Sequence, residues 1–435
     1  MTTLGIVGSP SIRVVLNSLG LELLSGLVLD RIIVFVEDEV IGRVIVDSLA
    51  RVMRVFEDRP CVEYVVLGRD FSRWFNLGVD VDLIDITPGR KIHVLGLYAY
   101  ASERGVPVRY AYILDERRFG YKYFGYAPPY AIRLLEVSRG HVYPLELKFI
   151  EPPVKVSSRE FSVDPRVIHA YMNVLRSQAE KIVVRACGSK AVLNVRYEPV
   201  VEGVEEAYSD WRRKWACSIS DLEWCLDRGK PVRIDVETLE GCVNRGCSIV
   251  VDTNILMLGL LDEIIVYTPK NLLEIPPPVM SELSLFLEAK GRALETHVPR
   301  MLGLVELWRH GLTSMISRER GDQAIARYAQ RLKSERKCVC MVTGDKNLAL
   351  LVKSMGVDTV LVEQDQETNK LEETRFSKII ECLALHKSAR ITVPGVEDVE
   401  IRDYRLLEGE GVKIKVRVRN RKLFQLVKTL VESTL

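Results

Sequence analysis

No Cys-x-x-Cys pair occurs among the nine cysteines, so a zinc ribbon is not expected. No run of about eighteen uncharged apolar residues occurs, so no membrane-spanning helix is expected. Net charge is nearly absent: 61 Lys and Arg face 59 Asp and Glu. That balance argues against nucleic-acid binding by the whole surface, and any such site must be local. The opening Met-Thr-Thr-Leu-Gly-Ile-Val-Gly lacks a basic segment followed by an apolar one. No secretory signal is therefore expected, and a cytoplasmic location is. Neither a Gly-x-Gly-x-x-Gly after the first strand nor a Walker A motif is present, so a dinucleotide or P-loop site is not indicated. Internal repeats and low-complexity stretches are also missing.

What is there is long and apolar enough for several cores. A chain of 435 residues suggests two to four domains. Few Gln beside many Arg, Glu and Val hint at a thermophile. Cys338 and Cys340 alternate on one face of a presumed strand and read as core. Cys242 and Cys247 flank the turn-like Val-Asn-Arg-Gly, where a disulfide between them is compatible with the intracellular disulfides of hyperthermophiles.

The first half alternates strands and helices. Leu4–Val7, Arg31–Val36, Val62–Leu67, Leu83–Ile86 and Val108–Leu114 read as strands. Ile12–Leu24, Gly42–Phe56 and His93–Arg104 read as helices. This predicts an α/β fold with a parallel, Rossmann-like sheet. Two loops stand at strand C-termini: Gly8-Ser9-Pro10-Ser11, and Asp85-Ile86-Thr87-Pro88-Gly89-Arg90-Lys91 leading into a helix. Hydroxyls, free N–H groups at a helix start and two cations make a phosphate cradle. Asp115 to Tyr130, with Arg117, Arg118, Tyr121, Lys122, Tyr123 and Tyr126, is expected as a long loop or hairpin. It would serve as a lid or adenine-stacking surface, or as a Tyr-rich hairpin packed on the partner of a dimer.

The second half carries four acids, each near the end of an apolar run: Asp252, Glu282, Asp322 and Asp345. Ser248–Val251 and Val339–Val342 read as buried strands. Carboxylates just past parallel strands lie in the crevice where open α/β sheets bind ligands. Several together repel one another unless a hard divalent cation neutralises them. Mg²⁺ or Mn²⁺ favours such oxygen ligands and activates water for phosphodiester cleavage. The structural alternative is a helix cap or a solvated charge, with Asp322 as a cap for the helix through Ala324 and Tyr328.

The segment from Cys247 to Gln364 resembles the PIN-domain nucleases. Asp252 and Asn254 stand in the family's Asp-Thr-Asn, Glu282 matches its helix-borne Glu, and Asp322 and Asp345 match its later acids. Thr343 and Gly344 match the small residues before the last Asp. The resemblance implies metal held by Asp252, Glu282, Asp322 and Asp345, with Asn254 and Thr343 orienting the carboxylates. Residues 1–150 resemble CARF domains, the CRISPR-associated Rossmann folds that sense cyclic oligoadenylates. Asp85, Thr87, Gly89 and Lys91 match that motif, while Pro88 replaces a Gly and removes one N–H donor. Gly8, Ser9 and Ser11 look like the family's first ligand loop, and Arg90 adds a second cation. This resemblance implies a homodimer binding a cyclic ligand such as cyclic tetra-adenylate across its two-fold axis.

The expected organisation is a sensing domain over 1–150, a connector over 151–246, a nuclease domain over 247–364 and a tail over 365–435. Pro152-Pro153 marks the first boundary, Val167–Val184 has a helical pattern, and Trp211, Trp215 and Trp224 read as core. In the tail, Glu367–Lys387 reads as helix, and Val412–Val418 alternates apolar residues with Lys413, Lys415 and Arg417. That strand would hold nucleic acid or serve as a charge-protected edge. The resulting expectation is an antiviral, ligand-activated, metal-dependent nuclease acting on single-stranded RNA; the acids do not read the sugar, so DNA stays open. Two rivals remain. Arg292 and His297 fit the loose spacing of a metal-independent HEPN ribonuclease, and a degenerate nuclease fold would make a non-enzymatic regulator.

Overall fold

The computed structural model describes residues 2–435 except 121, 139, 146, 148–152, 157, 177–178, 180, 187–188, 195–198, 204–218, 286–297, 337, 366–369, 387–388 and 408–410. Trp211, Trp215, Arg292, His297, Tyr121 and the side chains of Arg117 and Arg118 lie outside the described residues. The fold is α/β, in two compact units. One gathers Met1–Glu180, Val393–Val399 and Arg417–Leu435; the other gathers Lys181–Thr392 and Glu400–Val416. Among the described residues no helix is long and apolar enough to cross a membrane.

The first unit is built on β1 (Thr3–Val7), β2 (Arg31–Val36), β3 (Cys61–Val66), β4 (Leu83–Asp85), β5 (Val108–Ile113), β6 (Ile132–Ser138) and β7 (His141–Leu145). Their order is β3-β2-β1-β4-β5-β6-β7. The first five strands are parallel, and β6 and β7 extend the sheet antiparallel. Ile32 to Val36 are fully buried, as a strand covered on both faces requires. Helices α1 (Ile12–Leu24), α2 (Glu39–Met53) and α3 (Lys91–Arg104) follow β1, β2 and β4.

Helix α2 begins three residues before the expected Gly42. The Asp38 carboxylate accepts from Ile41 N at 2.9 Å, so the helix is capped and begins within the acidic run Glu37-Asp38-Glu39 that follows β2. The Asp115–Tyr130 segment is no open lid. It starts with a one-turn helix, Glu116–Phe119, and then turns Tyr123, Phe124 and Tyr126 inward. The Tyr123 hydroxyl lies 2.6 Å from His169 Nδ1, and His169 Nε2 lies 3.1 Å from Asn173. These aromatics therefore pack the unit's own helix Pro165–Leu175. That helix stops well short of Val184: Ile182, Val183 and Val184 belong to a strand, as their β-branched run favours. A short strand, β8 (Phe161–Val163), precedes it. The C-terminal helix Arg421–Thr434 packs on the same helix, on α1 and on α2. Phe424 meets Phe161 at 5.0 Å and Tyr171 at 4.9 Å between ring centres.

The second unit holds two sheets. The antiparallel β9 (Lys181–Ala186), β10 (Ser189–Asn194) and β11 (Pro199–Gly203) join β17 (Arg390–Val393), β18 (Glu397–Leu407) and β19 (Gly411–Arg417). In β19 the alternation is as read: Val412, Ile414 and Val416 are buried while Lys415 and Arg417 are exposed. The other sheet contains β12 (Val232–Ile234), β13 (Ser248–Val251), β14 (Leu273–Glu274), β15 (Val339–Thr343) and β16 (Asp358–Gln364), in the order β12-β16-β15-β13-β14. Strands β14, β13, β15 and β16 run parallel, and β12 is antiparallel at the edge.

The cysteine pairing differs from the expectation. Cys247 is bonded to Cys338 and Cys225 to Cys382, while Cys242 is a free, buried thiol. Cys247 precedes β13 and Cys338 precedes β15; those strands pair from Ser248 and Val339, so the sulfurs meet side by side across the ladder. Contact along the chain between Cys242 and Cys247 loses to contact across the sheet.

Candidate functional site

Two sites emerge, each at a point where strand order reverses. In the first unit that point lies between β1 and β4, the adjacent pair whose following helices serve opposite sides of the sheet. The Gly8 and Asp85 loops leave these two strands side by side. Gly8 N donates to Phe35 O at 2.7 Å, and a Cβ at Gly8 would lie 2.5 Å from Val36 Cγ1. Only glycine lets the first loop lie that close to β2.

Asp85 is fully buried beneath its loop. One oxygen accepts from Thr87 N at 2.8 Å, and the other accepts from the Ser18 hydroxyl on α1. Burial raises its pKa against these hydrogen bonds. Asp85 thus shapes the loop from below instead of facing a ligand. The Thr87 oxygen accepts from Ala111 N at 2.8 Å, which ties the loop to β5. Gly89 N turns back to Ile86 O at 3.0 Å. Arg90 reaches Glu37 at 3.2 Å, and Ser9 Oγ accepts from Ser11 N at 3.3 Å. Lys91 is exposed. Neither α1 nor α3 has a side-chain cap, so both present open N–H groups at the switch point.

In the second unit the switch point lies between β13 and β15, and Asp252 and Asp345 follow these two strands. Asp252 is buried. Its Oδ1 accepts from Thr253 N at 2.6 Å and its Oδ2 from the Thr343 hydroxyl at 2.6 Å. Burial pushes its pKa up to about 6; the Thr343 and Thr253 hydrogen bonds oppose this, and the negative charges of Asp322 and Glu282 add to it. Asp252, Asp322 and Glu282 therefore share one electrostatic neighbourhood. Thr343 also accepts from Asp345 N at 3.0 Å, so one hydroxyl fixes both strand-end acids. Asn254 accepts from Gly344 N at 3.1 Å and ties the two loops together.

Glu282 sits on the helix Pro277–Leu283 and accepts from the Thr253 hydroxyl at 3.0 Å. The middle residue of Asp-Thr-Asn thus holds Glu282 in place, a contact that nothing in the local sequence announces. Asp322 is exposed and opens the helix Asp322–Arg336. Asp345 caps the helix Lys346–Ser354, accepting from Asn347 N at 2.7 Å and Leu348 N at 3.1 Å. Its helix-cap role and its site position coexist, because a carboxylate has a second oxygen. The four acids form no group of three with ligand atoms all within 4.8 Å of one another. The donor set is nonetheless all carboxylate, and Asp252 ionises at a cost that a cation would remove. Mg²⁺ or Mn²⁺ fits that chemistry.

A third cluster left no sequence signal. Asp262, Glu306 and His310 converge, but Lys378 Nζ stands 2.7 Å from Asp262 and 2.9 Å from Glu306. The ammonium fills the place a metal would take.

Comparison with known proteins adds little. No protein family and no curated protein matches the chain. Three solved chains match, one of them the crystal structure of protein VC1899 from Vibrio cholerae. That likeness covers 96% of this chain and 76% of the other at 10% identity, with a TM-score of 0.26. It is too weak to carry any argument.

Proposed function

We propose that this protein is a metal-dependent endoribonuclease of antiviral defence, switched on by a cyclic oligoadenylate bound at the first unit, in a homodimer. The observation that carries the reading is the buried Asp252. Thr343 and Thr253 aim its carboxylate at the end of β13, where Asp322 and Glu282 already disfavour its charge. Such an arrangement is costly in isolation and suited to a divalent cation.

Asp252, Glu282, Asp322 and Asp345 would hold Mg²⁺ or Mn²⁺. When bound, the metal would supply positive charge to a phosphodiester and to its attacking water. The chain's own part is positioning. The Thr343 hydroxyl holds Asp252 and Asp345 in register, and Thr253 holds Glu282. Below about pH 6 a proton on Asp252 would compete with the cation, so activity at limiting metal should rise through that pH.

Cyclic tetra-adenylate suits the first unit, because its phosphates match the open N-termini of α1 and α3 with Lys91 beside them. One observation favours a second reading, a non-catalytic regulator: the four acids are not tightly gathered. Single-turnover cleavage of labelled single-stranded RNA in Mn²⁺ decides between them. The wild-type chain should cut and Asp252→Asn should not, with ligand binding intact. Equal rates for the two chains would overturn the assignment of the acids, and no cleavage by either would favour the regulator.

A further inference from the structure

The four acids are not the only metal-ligating side chains that the second unit gathers. The helix Ile219–Asp227 packs against the helix Phe376–Leu385, and the disulfide Cys225–Cys382 joins them. Both cysteines are buried. A ring nitrogen of the half-buried His386 lies with the two sulfurs, and these three ligand atoms are all within 4.8 Å of one another. His386 stands one helical turn after Cys382, and Asp221 one turn before Cys225. From outside the trio, the negative charge of Asp221 acts on His386.

A disulfide needs two cysteines and nothing more. A histidine against the sulfurs, with a carboxylate acting on its ring, is instead the donor set of a soft metal site: thiolate and imidazole, with an outer carboxylate. Burial lowers the pKa of His386, and Asp221 only partly offsets this. The ring is therefore neutral at neutral pH and has a lone pair to give. The other thiol cluster, Cys242 and Cys247 with Asp358, lacks this freedom, because Arg245 already holds Asp358 at 2.5 Å.

We propose that Cys225, Cys382 and His386 form a redox-gated site for a thiophilic divalent cation, Zn²⁺ foremost, closed while the disulfide stands. A cellular dithiol opens it. Two electrons and two protons pass to the sulfurs of Cys225 and Cys382, and the dithiol leaves as its own disulfide. Zn²⁺ then takes both sulfurs as thiolates and releases their protons. His386 supplies the third ligand, Asp221 steadies its ring, and water fills the fourth position. The S–S bond ties the two helices in one state and the metal ties them in the other. This site is independent of the nuclease reading, since the four acids offer oxygen alone.

Co²⁺ is the probe, because a thiolate–cobalt bond gives a near-ultraviolet charge-transfer band that carboxylates do not. The full chain is reduced with a phosphine, which takes oxygen from water and ends as its oxide, and is titrated with Co²⁺ in the absence of air. The band should appear in reduced wild type, saturate at one Co²⁺ per chain and disappear when Zn²⁺ is added. Oxidised wild type should lack it. His386→Gln leaves both cysteines and their disulfide in place, and should weaken Co²⁺ binding at least about tenfold, since even the outer partner of a ligand is worth that much. Asp221→Asn should weaken it about tenfold. Replacing the other bonded pair, Cys247→Ser with Cys338→Ser, should leave the band intact. No band in reduced wild type, or a band that His386→Gln leaves unchanged, would overturn the proposal. So would a band that disappears with Cys247 and Cys338, or a thiol titration in which Cys225 and Cys382 stay oxidised until the chain unfolds. None of these outcomes bears on Mn²⁺-dependent cleavage, so the nuclease reading stands or falls separately.

Discussion

Glu22 is fully buried on α1, and two influences compete over its proton. Burial and the neighbouring Asp85 push its pKa up to about 8, against the pull of Arg109. Arg109 cannot serve Glu22 alone, since its Nε also holds Glu136 at 3.0 Å. Glu22 Oε1 has no hydrogen-bond partner among the described residues, which further disfavours its ionised form. A raised folded pKa means that the folded state holds a proton the unfolded chain gives up. The contribution of Glu22 to stability is complete below about pH 4.5 and is lost as pH rises through about 8. Glu22→Gln copies the protonated form and should remove that slope. Thermal unfolding across this range should show wild type losing ground to the variant as pH rises. Parallel curves would mean that Glu22 stays ionised, with Arg109 prevailing over burial.

At the scale of elements, the same residue can serve a helix and a site, and substitution chemistry separates the two. Asp345 caps the helix Lys346–Ser354. Asn is as good a cap as Asp, so Asp345→Asn should leave stability within a few tenths of a kcal/mol, while Asp345→Ala should cost about 1 kcal/mol. Both should lose Mn²⁺-dependent cleavage, because an amide and a methyl are poor ligands for a hard cation. Denaturant midpoints beside cleavage rates check this; an active Asn variant would reduce Asp345 to a cap. Elements of this kind were legible where pattern and local chemistry agree. The boundaries of α1 and β2 were readable to the residue from their apolar runs. The start of α2 was missed because Asp38 caps it from within an acidic run. Val167–Val184 merged a helix and a strand, because an apolar run alone does not fix its period. The Asp-Thr-Asn and Thr-Gly-Asp triplets marked the ends of β13 and β15, since a parallel strand must stop where its loop turns polar. Ion pairs such as Lys378 with Glu306 join residues far apart in sequence, and no local pattern could announce them.

At the scale of the whole molecule, a sensor and an effector in one chain are coupled only if the ligand binds two states of the protein with different affinity. The first unit offers a direct way to vary that affinity. Asp85 and Thr87 are built into the sheet, so changing them would confuse binding with folding. Lys91 is exposed at the start of α3 and carries a charge that the fold does not visibly use. Lys91→Ala should therefore raise the half-activating concentration of cyclic tetra-adenylate about tenfold, the order of one charge-assisted contact. It should leave the rate at saturating ligand equal to wild type, because the acids are untouched. Ligand at a hundred times its Kd should also stabilise wild type by about 2.7 kcal/mol, a readout independent of cleavage. A Lys91→Ala chain with wild-type half-activation would place the ligand contact elsewhere. A ligand that stabilises the chain yet never alters its rate would leave the two units side by side without coupling, and the trigger for the acids would have to be a different molecule.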